Sequence, residues 1–123
     1  MEDTIVASAT PSGKGGISVV RVSGVGAKVV GRAVCGKLNK PWVFKKCRIK
    51  NKKGAVVDSG LVVLFESPKS YTGEDVVEVH CHGSPVVVDL VVESFLSAGC
   101  RLAEPGEFTK RAYLNEKIDM TQA

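Results

Sequence analysis

Apolar and polar residues alternate with a period of two over much of this chain, and that period puts alternate side chains on opposite faces of a strand. Thr4 to Thr10 shows it weakly: Ile5, Ala7 and Ala9 oppose Val6 and Ser8, and Pro11 ends the run. Ile17 to Ser23 shows it more clearly. Trp42 to Lys50 and Ala55 to Phe65 flank Asn51-Lys52-Lys53-Gly54, so they read as the arms of a hairpin, with a bulge expected near Ser59-Gly60. Asp75 to His82 reads as a fifth strand. It sets Val77, Val79 and Cys81 on one face, with Glu74, Val76, Glu78, His80 and His82 on the other.

Elsewhere the period lengthens. Val25, Val29, Val30, Ala33 and Val34 recur at helical spacings, and Gly36 supplies a stop. The stretch SPVVVDLVVESFLSAG is ambiguous, because its valines favour a strand. Its polar positions Asp89, Glu93 and Ser97 recur every fourth residue, and the run exceeds a usual strand, so it reads as a helix. Ser84 is its expected N-cap, Pro85 its first residue and Gly99 its close. Arg101 to Ala103 suits a short strand. Pro105-Gly106 then opens a helix over Glu107 to Asn115, with Phe108, Ala112 and Leu114 as inward candidates. The order β-β-α-β-β-β-α-β-α predicts an α+β fold, with helices packed on an antiparallel or mixed sheet.

A length of 123 residues suits one domain with a real core, and 44% hydrophobic with 24% charged residues is ordinary globular usage. No apolar run approaches the roughly 20 residues of a membrane span. Met1-Glu2-Asp3-Thr4 is acidic and unlike a secretory or transit leader, so Cys35, Cys47, Cys81 and Cys100 are expected as reduced thiols in a cytoplasmic protein. The net charge of +4 is uneven. Seven of the 17 basic residues (Lys40, Lys45, Lys46, Arg48, Lys50, Lys52 and Lys53) fall in residues 40–53 with no acid among them; the other ten face 13 acids. Such a patch suits a nucleic acid, or a solvated edge that resists strand-to-strand aggregation.

Candidate chemistry is sparse. Ser12-Gly13-Lys14-Gly15-Gly16 suggests a phosphate loop, but Ser8 stands where the leading glycine belongs and Gly15 where the magnesium hydroxyl belongs. A strand follows where a helix N-terminus is needed. His80-Cys81-His82 lacks the two further ligands a zinc site requires, so no metal is expected. No nucleophile–base pair has a local signature, and no catalytic residue is assigned. Glu78 lies in an apolar strand, where an unpaired carboxylate is costly. It is either a fork for a ligand with adjacent N–H groups, such as an amino-pyrimidinone ring, or the partner of Arg21, or part of an exposed face. Arg21 poses the same question within ISVVRVSG. Lys110, Arg111 and Lys117, interspersed with Glu107 and Glu116, read as a solvated helix face. The residues describe a binding domain.

Three stretches then read together: DTIVASATPSGKGGISVVRVSG (3–24), SYTGEDVVEVHCHGSP (70–85) and AEPGEFTKRAYLNEKIDMTQA (103–123). In this order they closely resemble the N-terminal domain of the MnmE (TrmE) family of tRNA-modification GTPases, and the resemblance spans essentially the whole chain. It implies a fold like the folate-binding domain of the glycine-cleavage T-protein. It implies a tetrahydrofolate derivative as ligand, 5-formyl or 5,10-methylene, and a homodimer. In the full-length family it implies a helical domain, a GTPase domain using GTP, Mg and K, a FAD-containing partner protein, and modification of the wobble uridine of tRNA at carbon 5. Arg21, Glu78 and Lys117 fall on the family's folate contacts, and the glycine-rich loop becomes a place of close backbone packing.

The family usually has His-Gly-Gly where this chain has His82-Gly83-Ser84, a change that matters only if the position needs a positive φ. No G-x-x-x-x-G-K-[ST] occurs in these residues. Residues 1–118 are therefore expected to form the folate-binding and dimerisation domain, with 119–123 the start of the helical domain. The other readings are a small basic RNA-binding module and a folate-dependent aminomethyl transferase-like protein.

Overall fold

The computed structural model describes residues 3–10 and 16–115. The elements run β1 (Ile5–Ser8), β2 (Ile17–Ser23), α1 (Ala27–Cys35), β3 (Lys45–Lys50), β4 (Val56–Phe65), β5 (Val76–His82), α2 (Pro85–Ser97), β6 (Arg101–Leu102) and α3 (Glu107–Leu114). The strands form one sheet in the order β3-β4-β5-β2-β1-β6. Every pairing is antiparallel except β1 with β6, so the sheet is mixed and the fold is α+β.

The alternation decides which face is covered. Val20, Val22, Val77, Val79, Cys81, Val62 and Leu64 turn towards α1 and α2 and form the core with Val30, Val34, Val91 and Phe95. Full burial of one such side chain stabilises by about 1.5–3 kcal/mol. The intervening positions, including Arg21, Glu78 and His80, lie on the opposite, open face. α3 reaches that face through Phe108.

Local details explain the boundaries. Gly24 has φ 143°, and a Cβ there would stand 2.7 Å from the Thr4 Cα. Glycine is thus required where β2 turns into α1, and the Gly26 N–H donates to Thr4 Oγ1 at 2.9 Å, so α1 begins at Ala27 rather than Val25. Ser84 occupies the N-cap of α2 with φ −62°, a conformation that any residue adopts, although its hydroxyl makes no capping bond. Gly99 follows α2 with φ 117°. β3 starts at Lys45, not Trp42, because Trp42 takes the left-handed φ of 73° and donates its N–H to Leu64 O at 2.9 Å. The irregularity in the hairpin lies at Ile49/Lys50, opposite Asp58 and Val56, rather than at Ser59-Gly60. Gly60 has a different reason: a Cβ there would stand 2.0 Å from the His80 carbonyl oxygen. Leu114, expected inward, is exposed, whereas Ala112 is fully buried.

Candidate functional site

Arg21 and Glu78 face one another in the β2–β5 register, and Arg21 Nε donates to Glu78 Oε2 at 3.0 Å. The pair is only partly exposed, at 23% and 16% of the side chains. The Arg21 guanidinium lies 5.0 Å from the Tyr71 ring centroid and 5.5 Å from that of Phe108. Two aromatic rings thus hold the cation in place while its Nε–H is directed at a carboxylate. The salt bridge that the sequence left open for Glu78 is therefore present.

The rings are themselves positioned. Tyr71 and Thr109 share a hydroxyl–hydroxyl hydrogen bond of 2.8 Å between the 67–75 loop and α3. Beneath it, Ser23 Oγ lies 2.7 Å from Thr72 Oγ1 and donates to Glu74 Oε1 at 2.8 Å. Arg111 donates to Glu74 at 3.2 Å, to Glu107 Oε2 at 3.4 Å and to the Asp3 carbonyl at 2.6 Å. Only 3% exposed, Arg111 is the tie between the segment before β1, the loop and α3 and not part of a solvated face. Glu107 also accepts from Arg101 at 2.7 and 3.1 Å. The Arg101 hydrogen bonds hold its carboxyl at a pKa of about 2.

A cavity of about 430 Å³ opens beside the pair, lined by Trp42, Phe65, Lys69, Tyr71, Val76 and Glu78. Its aromatic walls are ordered edge to face: Trp42 meets Phe65 at 4.9 Å between centroids. His80 Nε2 lies 3.7 Å from Glu78 Oε1 and is buried without a hydrogen-bond partner, while the His80 ring meets Phe44 edge-on at 5.1 Å. His82 points elsewhere, its Nδ1 2.8 Å from Asp58 Oδ1. Burial alone would raise the Asp58 carboxyl, but the His82 backbone N–H and ring hold it below its usual range. Among the described residues no three His, Cys, Asp or Glu side chains gather as metal ligands. No helix among them is long and apolar enough to cross a membrane.

Of the residues singled out in the sequence, Arg21 and Glu78 come together; Lys117 lies outside the described residues, as do residues 11–15 of the glycine-rich loop. At the described end of that loop, a Cβ on Gly16 would meet none of the described residues within 4 Å. Sequence reasoning missed Tyr71, Phe108 and Arg111. The Glu107–Arg111 spacing of four was a signal for an ion pair, but not for its burial.

The sequence profile described as GTP-binding protein TrmE N-terminus matches residues 4–117. This chain belongs to the TrmE N-terminal family. It is 49% identical over 120 residues to the tRNA modification GTPase MnmE of Neisseria meningitidis serogroup A, covering 98% of this chain and 27% of that protein. Against the tRNA modification GTPase MnmE of Legionella pneumophila strain Corby it is 49% identical over 122 residues, with the same coverage. Against that of Nitrosomonas eutropha it is 50% identical over 121 residues, again 98% of this chain and 27% of the relative. The TrmE N-terminal chain thus spans about a quarter of the length of the curated relatives it matches. Arg21, Glu78 and the cavity residues all fall within the matched span, of which Lys117 is the last residue.

Proposed function

We propose that this TrmE N-terminal domain binds a tetrahydrofolate derivative, the 5-formyl or 5,10-methylene form, beside the Arg21–Glu78 pair. The observation that carries this reading is the aromatic-flanked ion pair whose Glu78 lines a 430 Å³ cavity. That volume falls in the range of small-molecule sites, and mostly apolar walls with a few placed polar groups suit a flat heterocycle. The donor set fits the ligand. The Glu78 carboxylate is an acceptor fork for the adjacent N–H groups of an amino-pyrimidinone ring, with His80 Nε2 buried 3.7 Å from its Oε1. Lys69 at the rim is a cation for an anionic tail, and Lys117 is proposed as a further contact.

In this reading the folate supplies a one-carbon unit, and the chain's own residues bind and orient it. Glu78 fixes the ring, Arg21 fixes Glu78, and the Tyr71 and Phe108 rings exclude water from the pair. The relatives' name, tRNA modification GTPase, supports placing the domain in such a protein. There it is proposed to act as a cytoplasmic homodimer, with a GTPase domain using GTP, Mg and K and a FAD-containing partner, in modifying the wobble uridine of tRNA at carbon 5.

Isothermal titration of the chain with 5-formyltetrahydrofolate tests the binding. Saturable heat is expected with the wild type, and its loss with Glu78→Ala in a sample whose circular dichroism is unchanged. Absence of heat with folded wild-type chain overturns the proposal.

A further inference from the structure

The basic residues of the run at 40–53 take no part in the site above, although Trp42 of the same run lines its cavity. β3 is an edge strand of the sheet. Its Cys47 and Ile49 point into the core, so Lys46 and Arg48 stand exposed on the open face. Past the irregularity at Ile49/Lys50, the lysines come round the end of the hairpin. Lys52 and Lys53 border a groove of about 370 Å³ against α2, and Lys50 borders its continuation towards α1. The turn that carries them is locked. Asn51 Oδ1 accepts from the Lys53 and Ala55 N–H groups at 3.0 Å each, and the Gly54 N–H donates to Asn51 O at 2.9 Å.

These cations have no carboxylate to neutralise them. Arg21, Lys28, Arg101 and Arg111 each meet an acid, whereas among the described residues Lys46, Arg48, Lys50, Lys52 and Lys53 form no ion pair. Asp58, across the hairpin from Ile49, is engaged by His82. Glu93 lines the same groove as Lys52 and Lys53 but forms no ion pair with them, so an anion is placed along the hairpin and not within the groove. A charged row alone would suit any polyanion or simply protect the edge. The second feature is aromatic: Phe44, 47% exposed, directly precedes β3 and meets His80 on the same open face as Lys46 and Arg48. Cations tracking a backbone beside an exposed ring are the elements of single-strand recognition.

We propose that the β3–β4 hairpin is a surface for single-stranded nucleic acid. Lys46, Arg48, Lys50, Lys52 and Lys53 follow the phosphates, and Phe44 offers a face to a base. The inference stands on the hairpin and does not rest on the folate reading.

Fluorescence anisotropy of the full 123-residue chain tests it, with a labelled mixed-sequence single-stranded RNA, the same sequence as DNA, and polyglutamate of equal charge, across a potassium chloride series. Five phosphate contacts predict a slope of log affinity against log salt of about −3.5 for a single strand. Lys46→Gln with Arg48→Gln is expected to bring the slope to about −2, as is Lys50→Gln with Lys52→Gln. Phe44→Leu is expected to weaken binding about five-fold or more with the slope unchanged. Equal affinity for RNA and DNA would assign the surface to their shared chemistry, and tighter RNA binding would assign it to RNA. A slope near zero, a slope unmoved by either charge variant in folded protein, or polyglutamate binding as tight as RNA would each overturn the proposal.

Discussion

Arg21 and Glu78 are register partners on neighbouring strands, and their side chains close a 3.0 Å ion pair across the same rung of the ladder. Because the pair is largely desolvated, removing one partner leaves the other without its charge complement. Arg21→Ala or Glu78→Ala is expected to lower stability by about 1–3 kcal/mol. Replacing both, Arg21→Ala with Glu78→Ala, is expected to lose less than the sum of the single changes. Urea unfolding of the four proteins measures this coupling.

Glu107 contributes to the dependence of stability on acid. Its pKa is lowered from 4.5 to about 2 by the Arg101 contact. The folded state therefore binds this proton less readily than the unfolded state. The contribution is fully present above about pH 4.5 and is lost as pH falls towards 2. Glu107→Gln is expected to be less stable at neutral pH and to show a flatter decline between those values. Urea midpoints between pH 7 and pH 2 read both effects.

Arg111 connects three segments that are distant in sequence: Asp3, Glu74 and Glu107. Arg111→Ala leaves the Glu74 and Glu107 carboxylates facing a void and is expected to cost about 3–5 kcal/mol. Hydrogen exchange should quicken most at the Gly73 and Glu74 amides, which rest on local side-chain bonds within the 67–75 loop. Loosening that loop moves Tyr71, so the proposed affinity for 5-formyltetrahydrofolate is expected to fall with it.

Gly60 tests backbone contact directly. Gly60→Ala places a methyl group 2.0 Å from a main-chain oxygen, and a sheet interior has no flexible side-chain end to yield. A loss of about 3 kcal/mol is expected by chemical denaturation. Gly16→Ala, whose methyl group meets none of the described residues within 4 Å, should lose far less.

The four cysteines are buried and free. Burial pushes the Cys81 and Cys100 thiols up to about 11. Cys35 is also held up, first by its hydrogen bond to Cys47 and then by burial, and that bond draws Cys47 down. Native protein at pH 8 is expected to react slowly with Ellman's reagent, and all four thiols to react after unfolding in urea.

Much of the architecture was legible because burial follows the strand period closely. Val77, Val79 and Cys81 reach the core together, and the helix read from Asp89, Glu93 and Ser97 is present despite its valines. Boundaries slipped where backbone conformation, not hydrophobicity, decided them: the left-handed φ of Trp42 shortens β3, and the Gly26–Thr4 contact delays α1. Glu78 and Arg21 stood out because charges within apolar strands demand an explanation. Arg111 did not, since beyond Glu107 its partners lie 37 and 108 residues away and a helix of mixed charge looks solvated until its neighbours are known. Tyr71 and Phe108 were hidden for the same reason, each being ordinary in its own segment.

The parallel pairing of β1 with β6 also governs the order in which the molecule can be made. The Arg101 N–H reaches Thr4 O and the Ala103 N–H reaches Val6 O, so the first strand takes one of its two neighbours from a segment nearly a hundred residues later. During synthesis β1 can pair with β2 at once, yet its outer edge stays unpaired until Arg101 to Arg111 has cleared the ribosome. Such long-range closure slows folding and leaves an open edge in the nascent chain. The domain is thus built to mature late in its own translation, with the last strand sealing the first.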